Sequence, residues 1–440
     1  MTRRKIVLIG AGSAMFTQGL VADLILTGQP WRLGLVDIDP PALAVAEGLS
    51  RRMVAARDAD VIVEGSLDRR DLLAGADVVV TTIGVGSRRA WEADVFIPRQ
   101  HGIFQPVGDT VMAGGISRAL RMIPAMIAIA ADVIRLCPQA LFVNYANPMT
   151  ANCWAVRRAT GADVIGLCHG VFHVQRELAE TIGVPPEEVT CQGVGLNHFT
   201  WIYDLRWRGA DAWPLVREKL AAEARGEPAG KRRAADNPFS WALFAAYGAY
   251  PAVNDRHVVE FFPERFPRGA YYGKTLGVDV FSFERVIAHG DEIYERMRAK
   301  AAGEIPLDEA IFHRAAGEHE QLLDILDSIT GDRRHTYSAN LPNRGAVPAL
   351  PANAILELTC AATSRGLQPL LVPDFLSTLA APLIRKIAAV ELTVEAALAG
   401  SRPLFVEALL ADGCVSDPIV AGRLADDLLA AQREHLPQFA

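Results

Sequence analysis

At 440 residues the chain is longer than one hydrophobic core usually supports, so we expect two closely packed domains. Half of the residues are hydrophobic and 22% are charged, which is typical of a globular protein rather than of a disordered or fibrous chain. The 44 basic and 51 acidic residues give a net charge of −7 without a basic block, which argues against nucleic acid and anionic membranes as partners.

Neither export nor membrane insertion is predicted. The first apolar run, residues 6–9, is interrupted by Gly10 and Gly12, which favours a first strand over a signal peptide. No apolar stretch approaches the length of a membrane span. The six cysteines lack regular spacing, so we expect reduced thiols and a cytoplasmic protein; they are Cys137, Cys153, Cys168, Cys191, Cys360 and Cys414.

The first 170 residues alternate short apolar runs with amphipathic stretches, which predicts a parallel sheet with helices on both faces. The predicted strands are 5–10, 32–37, 60–64, 77–83, 140–145 and 163–168, and the predicted helices include 14–27, 40–57, 117–136 and 149–160. Ligands of such sheets bind beyond the carboxyl ends of the strands. The polar or small residues at those ends are Gly10, Asp37, Thr82, the segment 144–147 and Cys168.

The pattern changes near residue 189, and we predict domains over 1–188 and 189–440. Residues 189–195 and 199–207 are predicted strands that flank Asn197-His198, and long helices follow. Segment 222–236 is polar and broken by Gly and Pro, which predicts a mobile surface insertion. Segment 338–358 is predicted to be an irregular loop that enters a strand.

A dinucleotide-binding turn is predicted at the first strand. Gly10 and Gly12 would let the backbone approach a pyrophosphate, and Ser13 opens the helix whose amide groups would face it. Asp37 closes the second strand, where a carboxylate suits a ribose diol and repels a 2′-phosphate, so NAD is favoured over NADP. Thr82 is a further candidate for cofactor contact. A glycine turn without a ligand is the alternative.

Cys168 and His198 are candidate metal ligands, because Cys168 ends a predicted strand and Asn197-His198 interrupts an otherwise apolar stretch. One thiolate and one imidazole would leave positions for sugar oxygens and suit Mn²⁺, Co²⁺, Ni²⁺ or Fe²⁺. The alternative is a buried structural cysteine, with His169 and His198 as core histidines.

Three further segments carry polar side chains that could contact a ligand. Asn147 offers an amide to a polyhydroxylated ligand, or it caps the next helix. The run 254–257 contains Asp255 and Arg256, which could be a general base and a cation of a site, although the spacing favours a surface ion-pair cluster. Asp109, followed by Gly114-Gly115, suggests a flexible active-site loop and a sugar-binding or second catalytic carboxylate.

The combination of motifs resembles glycoside hydrolase family 4 over essentially the whole chain. The motifs are Gly-x-Gly-Ser-x-x-Phe-Thr at 10–17, Asn-Pro-Met at 147–149, Cys-His-Gly-Val at 168–171, Gly-Leu-Asn-His at 195–198 and Asn-x-Pro-Asn-x-Gly at 340–345. The resemblance implies a fold similar to lactate and malate dehydrogenases, with an N-terminal Rossmann-type doubly wound domain and a C-terminal α+β domain for substrate, metal and oligomerisation. A homodimer or homotetramer is expected from that fold.

The resemblance also implies an NAD- and metal-dependent glycosidase rather than a two-carboxylate enzyme. In this family NAD oxidises sugar C3, a metal such as Mn²⁺ polarises the resulting ketone, and a base removes the C2 proton. The C1 group then leaves, water adds and hydride returns.

Roles transfer by position. Cys168 and His198 match the metal ligands, Asn147 matches a substrate-binding asparagine, Asp255 is expected to be the base, and His169 stands where some members carry the acid.

The Cys-His-Gly triplet is similar to the α-glucuronidase and α-galacturonidase branch, whose substrates need a cationic contact. The available cations are Arg88, Arg89, Arg256, Arg268 and Lys274. Alternatives within the family are an α-galactosidase or α-glucosidase. From other classes, a 2-hydroxy-acid dehydrogenase and a non-catalytic NAD-binding sensor stay open.

Overall fold

A computed structural model of the chain describes residues 3–14, 16–227, 234–312 and 321–439. The amino-terminal half contains six strands: β1 (Arg4–Ile9), β2 (Trp31–Val36), β3 (Val61–Ser66), β4 (Val78–Thr81), β5 (Leu141–Asn144) and β6 (Val164–Gly166). Its helices are α1 (Thr17–Leu26), α2 (Pro40–Ala56), α3 (Arg70–Leu73), α4 (Ser87–Gln100), α5 (Met112–Leu136), α6 (Met149–Thr160) and α7 (Gly170–Ile182).

The six strands are parallel in the order β3-β2-β1-β4-β5-β6, which is the doubly wound Rossmann arrangement. Strand β1 contains an unbroken apolar run because both of its faces are buried. Ile6 and Leu8 pack into the apolar layer on one face of the sheet, and Val7 packs into the layer on the other face. The prediction of a parallel sheet covered on both faces is therefore confirmed.

The described residues of the carboxyl-terminal half form nine strands: β7 (Val189–Leu196), β8 (Phe199–Trp207), β9 (Ala210–Asp211), β10 (Tyr250–Ala252), β11 (Ala270–Tyr271), β12 (Lys274–Thr275), β13 (Thr336–Pro342), β14 (Ile355–Thr363) and β15 (Gly366–Pro369). Its helices are α8 (Trp213–Ala224), α9 (Pro238–Tyr247), α10 (Asp255–Val258), α11 (Phe283–Ala302), α12 (Leu322–Thr330), α13 (Ser377–Ala399), α14 (Arg402–Asp412) and α15 (Pro418–Ala431). Among the described residues, no helix combines the length and the apolar character needed to cross a bilayer.

One sheet runs through both halves. Strand β13 pairs antiparallel with β6 through Asn340 and Gly166, and β14 pairs with β7. Strands β8 and β10 continue the sheet outward, so that thirteen strands form one surface. The carboxyl end of β6 and the hairpin between β7 and β8 are consequently parts of the same rigid framework.

Helix α5 begins five residues earlier than predicted, at Met112 rather than at 117. Gly114 and Gly115 therefore lie in its first turns and do not form the predicted flexible loop. A Cβ on Gly115 would lie 2.3 Å from the carbonyl carbon of Thr110, and one on Gly114 would lie 2.7 Å from the oxygen of Gly108. The two glycines allow α5 to pack directly against the segment that carries Asp109.

Two other predictions concern the segments 338–358 and 222–236. Segment 338–358 begins with the end of β13, and its residues 343–354 then form the predicted irregular loop, which enters β14 at Ile355. Of the predicted surface insertion 222–236, residues 222–224 end helix α8, whereas 228–233 lie outside the described residues.

Candidate active site

A glycine turn connects β1 to α1. Gly10 has φ +94°, and a Cβ there would lie 2.8 Å from the amide nitrogen of Ile83. The amide of Gly12 donates to Asp37 Oδ2 at 2.7 Å, and a Cβ on Gly12 would lie 2.6 Å from the side chain of Ala42. Only glycine fits both positions, which leaves the backbone open to a ligand.

The neighbouring strand ends complete this concave surface. Thr82, directly after β4, donates its hydroxyl to the carbonyl of Gly10 at 2.9 Å, and the amide of Ser13 donates to the same carbonyl at 3.1 Å. Ile38, next to Asp37, is 88% exposed and offers an apolar surface beside the carboxylate. The structure thus brings Gly10, Gly12, Ser13, Asp37 and Thr82 together at one edge of the sheet.

A second polar group lies at the ends of β5 and β7. The amide of Asn147 donates to Asp109 Oδ2 at 2.9 Å, and the hydroxyl of Thr110 donates to Asp109 Oδ1 at 2.7 Å. The same hydroxyl is 2.7 Å from His198 Nδ1. The carbonyl oxygen of the Asn147 side chain is buried and has no partner among the described residues. A chain of hydrogen bonds therefore joins Asn147 to His198 and leaves one amide oxygen for a ligand.

The hydrogen count fixes the tautomer of His198. Thr110 has one hydroxyl hydrogen and gives it to Asp109, so the imidazole must donate its Nδ1 hydrogen to Thr110. Its Nε2 lone pair is then free to bind a metal, an arrangement in which a second residue orients a ligating imidazole. His198 lies in the two-residue connection between β7 and β8 and has a backbone φ of +72°. Residues other than glycine rarely adopt this conformation.

His257 completes the group on the side of α10. Its ring lies 4.2 Å from that of His198, centroid to centroid, and one donor atom each from Asp109, His198 and His257 lie within 4.8 Å of one another. Burial lowers the pKa of His198, and burial together with His198 holds the pKa of His257 well below its usual range. Burial alone would raise the pKa of Asp109, but His198, His257 and Arg118 outweigh it and lower that pKa to about 2. Nearby positive charge therefore favours the ionised form of Asp109, while burial opposes charge on both imidazoles.

Cys168 and His169 follow β6 and open α7. The Sγ of Cys168 accepts from the amide of Gly170 at 3.4 Å and is half-buried. His169 is close enough that its charge lowers the pKa values of His198 and His257. Cys168 is not one of the three residues grouped within 4.8 Å, so the structure groups Asp109 and His257 with His198, and the pairing of Cys168 with His198 stays a prediction.

Asp255 is buried and held by a network of hydrogen bonds. Its side chain is fully buried, and its two oxygens accept from the amide of Phe239, the amide and hydroxyl of Ser240, and the hydroxyl of Tyr271. These four hydrogen bonds use both oxygens of the carboxylate, and the two backbone amides among the donors lie at the start of α9. The carboxylate therefore caps α9 and orients Tyr271, and the catalytic role of Asp255 stays a prediction.

The predicted cations separate into paired and unpaired groups. Arg88 and Arg89 both bind Asp291 of α11, and Lys274 is exposed on β12. Arg268 lines a different cavity, beside Phe104 and Leu276. Arg256 lies near the histidine cluster, where it lowers the pKa of His198, and its buried Nε has no partner among the described residues.

Sequence reasoning missed four residues of the site: Thr110, Arg118, His257 and Glu260. Glu260 accepts from the amides of Val107 and Gly108 at 2.7 and 2.9 Å and so holds the segment that leads into Asp109. Burial raises the pKa of Glu260 to about 8. His257 stands two residues after Asp255 in a segment that the sequence did single out, whereas nothing in the sequence distinguishes Arg118 from other helical arginines.

The chain matches known families over most of its length. The model described as "Family 4 glycosyl hydrolase" matches residues 5–184, and "Family 4 glycosyl hydrolase C-terminal domain" matches residues 193–415. An α-galacturonidase of Bacillus subtilis (strain 168) is 32% identical and aligns with 97% of this chain and 96% of its own. An α-glucosidase of Erwinia rhapontici is 30% identical over 98% of both chains.

Solved structures agree with the fold. A 6-phospho-α-glucosidase from gut microorganisms, in complex with NAD and Mn²⁺, superposes with a TM-score of 0.85 at 18% identity, covering 99% of this chain and 100% of its own. Malate dehydrogenase of Cryptosporidium parvum has a TM-score of 0.53 at 14% identity and covers 90% of this chain and 99% of its own. The predicted likeness to the dehydrogenase fold is confirmed.

Proposed function

Because the chain belongs to family 4 of the glycosyl hydrolases, we propose that it cleaves an α-D-galacturonide or α-D-glucuronide with NAD and a divalent metal such as Mn²⁺. The observation that carries the proposal is the hydrogen-bonded chain from Asn147 through Asp109 and Thr110 to His198, at the same edge of the sheet as the glycine turn. The Cys168-His169-Gly170 motif and the α-galacturonidase relative support the choice of a uronide.

The residues fit both groups that the family implies. Gly10 and Gly12 provide the backbone that a pyrophosphate requires, and Asp37 stands where a ribose diol would bind. Cys168 and the free Nε2 of His198 would hold the metal. When bound, NAD would exchange hydride with sugar C3 and the metal would polarise the oxygens at C2 and C3.

The side chains of this protein then have separate tasks. The unpartnered side-chain oxygen of Asn147 accepts a hydrogen bond from a sugar hydroxyl. Asp109 keeps the Asn147 amide and the Thr110 hydroxyl in place by hydrogen bonds. Arg256 contributes positive charge beside the histidines. We assign proton transfer at the glycosidic oxygen to His169, which opens α7 beside the cluster.

Hydrolysis of p-nitrophenyl glycosides tests the proposal. The α-D-galacturonide, α-D-glucuronide, α-D-galactoside and α-D-glucoside are compared with NAD⁺, Mn²⁺ and dithiothreitol each present or omitted. We expect release from a uronide that requires all three, and its loss in His198→Asn but not in His289→Asn, whose side chain is 70% exposed on α11. Release from a neutral hexoside alone would overturn the substrate class. Net NADH formation from lactate or malate would indicate a dehydrogenase instead.

A further inference from the structure

Two arginines one turn apart on α5 have opposite surroundings. Arg121 is fully paired: its terminal nitrogens bind both oxygens of Asp94, and its Nε donates to the carbonyl of Val85 at 2.9 Å. Arg118 donates only its Nε, to the backbone oxygen of Asn147 at 3.1 Å. Within the described parts of the chain, no carboxylate lies within 4.0 Å of Arg118. The terminal nitrogens of Arg118 thus have no close ion pair, and Asp109 acts on the guanidinium only from a longer distance.

The surroundings of Arg118 hold the guanidinium in place and leave space in front of it. Its Cζ lies 5.6 Å from the ring of Trp91, whose indole is fixed by a 2.8 Å hydrogen bond to the carbonyl of Val107. A Cβ built on Gly84 would meet only Arg118 Nη2, at 3.7 Å, so the space above this glycine is otherwise open. Burial lowers the pKa of Arg118 and nearby carboxylates raise it, so negative charge beside the guanidinium stabilises the cation.

We propose that Arg118 determines specificity for uronides by binding the carboxylate of the sugar with its two terminal nitrogens. This inference rests on the proposed function, since it places the sugar beside Asn147 and Asp109. A uronide differs from a neutral hexoside by a carboxylate in place of a hydroxymethyl group. A planar guanidinium recognises a carboxylate through two parallel hydrogen bonds, which a hydroxymethyl group cannot match.

Arg118 is better placed for this task than the other cations. Arg88 and Arg89 already share Asp291, and the charge of Arg256 acts on His198, whereas Arg118 donates to the backbone oxygen of Asn147 itself. A phosphate of the cofactor has the same oxyanion chemistry as a uronate. Binding of NAD⁺ therefore has to be measured separately from binding of the sugar.

The test compares Arg118→Gln, Arg118→Lys and the exposed control Arg89→Gln. Binding of D-galacturonate and of D-galactose is measured by calorimetry on the protein loaded with NAD⁺ and Mn²⁺, and the Kd of NAD⁺ is measured alone. We expect Arg118→Gln to weaken galacturonate binding by about 10- to 100-fold, as loss of a charged hydrogen-bonding pair does. D-galactose and NAD⁺ should bind within about twofold of the original, and the control should match the original in all three.

The other outcomes distinguish a failure of this inference from a failure of the proposed function. Equal weakening of galacturonate binding and galactose binding would overturn the inference, because Arg118 would then only position Asn147. Weaker NAD⁺ binding would identify a contact to the cofactor instead. If Arg118→Gln does not fold, Arg118→Lys keeps the charge without the fork and should still lose about tenfold for galacturonate. Arg118-dependent galacturonate binding without hydrolysis of any uronide would refute the proposed function and leave this inference standing.

Discussion

Replacing Asp255 by Asn separates a structural from a catalytic carboxylate. The carboxylate accepts from Phe239, Ser240 and Tyr271, and each of its oxygens has two donors. In Asp255→Asn the remaining oxygen can still accept from Ser240. The new NH₂ group would face the amide of Phe239, which is also a donor, while the hydroxyl of Tyr271 can turn to accept. One buried backbone amide is therefore left without an acceptor.

The cost follows from these contacts. A buried donor without a partner costs about 1–3 kcal/mol, and the surviving bonds lose the part of their strength that the charge supplied, roughly 1 kcal/mol. We expect the free energy of unfolding to fall by about 2–4 kcal/mol. For a chain of 440 residues, whose unfolding entropy is about 0.9 kcal/mol per degree, that lowers Tm by about 2–4 °C.

The assays are urea denaturation, thermal unfolding and kcat at 25 °C. Asp374→Asn is the matched control, because Asp374 is exposed and should leave all three unchanged. If Asp255 is structural, kcat at 25 °C should stay within about tenfold, whereas removing a general base costs roughly 10²–10⁴ in rate. An unchanged urea midpoint together with a thousandfold loss of kcat would refute this reasoning and restore the catalytic role.

Three further changes probe the core, the metal site and the cofactor site. Burial raises the pKa of Glu357 from 4.5 to about 7, so between these pH values the folded state binds more protons and the free energy of unfolding falls as the pH rises. Between pH 5 and pH 8, the free energy of unfolding measured by urea denaturation should fall by about 3 kcal/mol less in Glu357→Gln than in the original protein. An identical pH dependence of the two proteins would contradict this. Cys168→Ser should weaken Mn²⁺ binding at least tenfold by electron paramagnetic resonance, and equal affinity for Cys168→Ser and the control Cys414→Ser would exclude the thiol as a ligand. Asp37→Ser should weaken NAD⁺ binding and narrow its preference over NADP⁺ in fluorescence titrations, since it removes the acceptor of Gly12 as well as the negative charge; an unchanged preference would argue against Asp37 as the ribose contact.

The strands were predictable because a strand covered on both faces must be apolar throughout. Every residue from Ile6 to Leu8 is fully buried, as a strand covered on both faces requires. The same reasoning failed at Gly114-Gly115, since glycines are typical both of loops and of close contacts. Only the three-dimensional neighbour, the backbone of Thr110 at 2.3 Å from an added Cβ, distinguishes the two.

The candidate site was predictable where one position determines the chemistry, and not where the chemistry depends on a partner far along the chain. The turn at 10–13 and the segment around His198 could be located from local pattern. The burial and the hydrogen bonds of Asp255 were not predictable, because its donors lie 15 and 16 residues away along the chain. Arg118 was overlooked because its sequence neighbours do not show that the available carboxylate, Asp94, binds Arg121 instead.

The continuous sheet makes the two halves of the chain inseparable in practice. A fragment ending at residue 188 would lose β13 and leave β6, with Val164 and Ile165 buried in the intact protein, at an uncovered edge. Unpaired apolar edge strands recruit other strands, so such a fragment should aggregate rather than act as a free-standing nucleotide-binding module. The same pairing couples unfolding across the two halves, and a glycosidase built in this way should lose its cofactor turn and its histidine cluster in one transition.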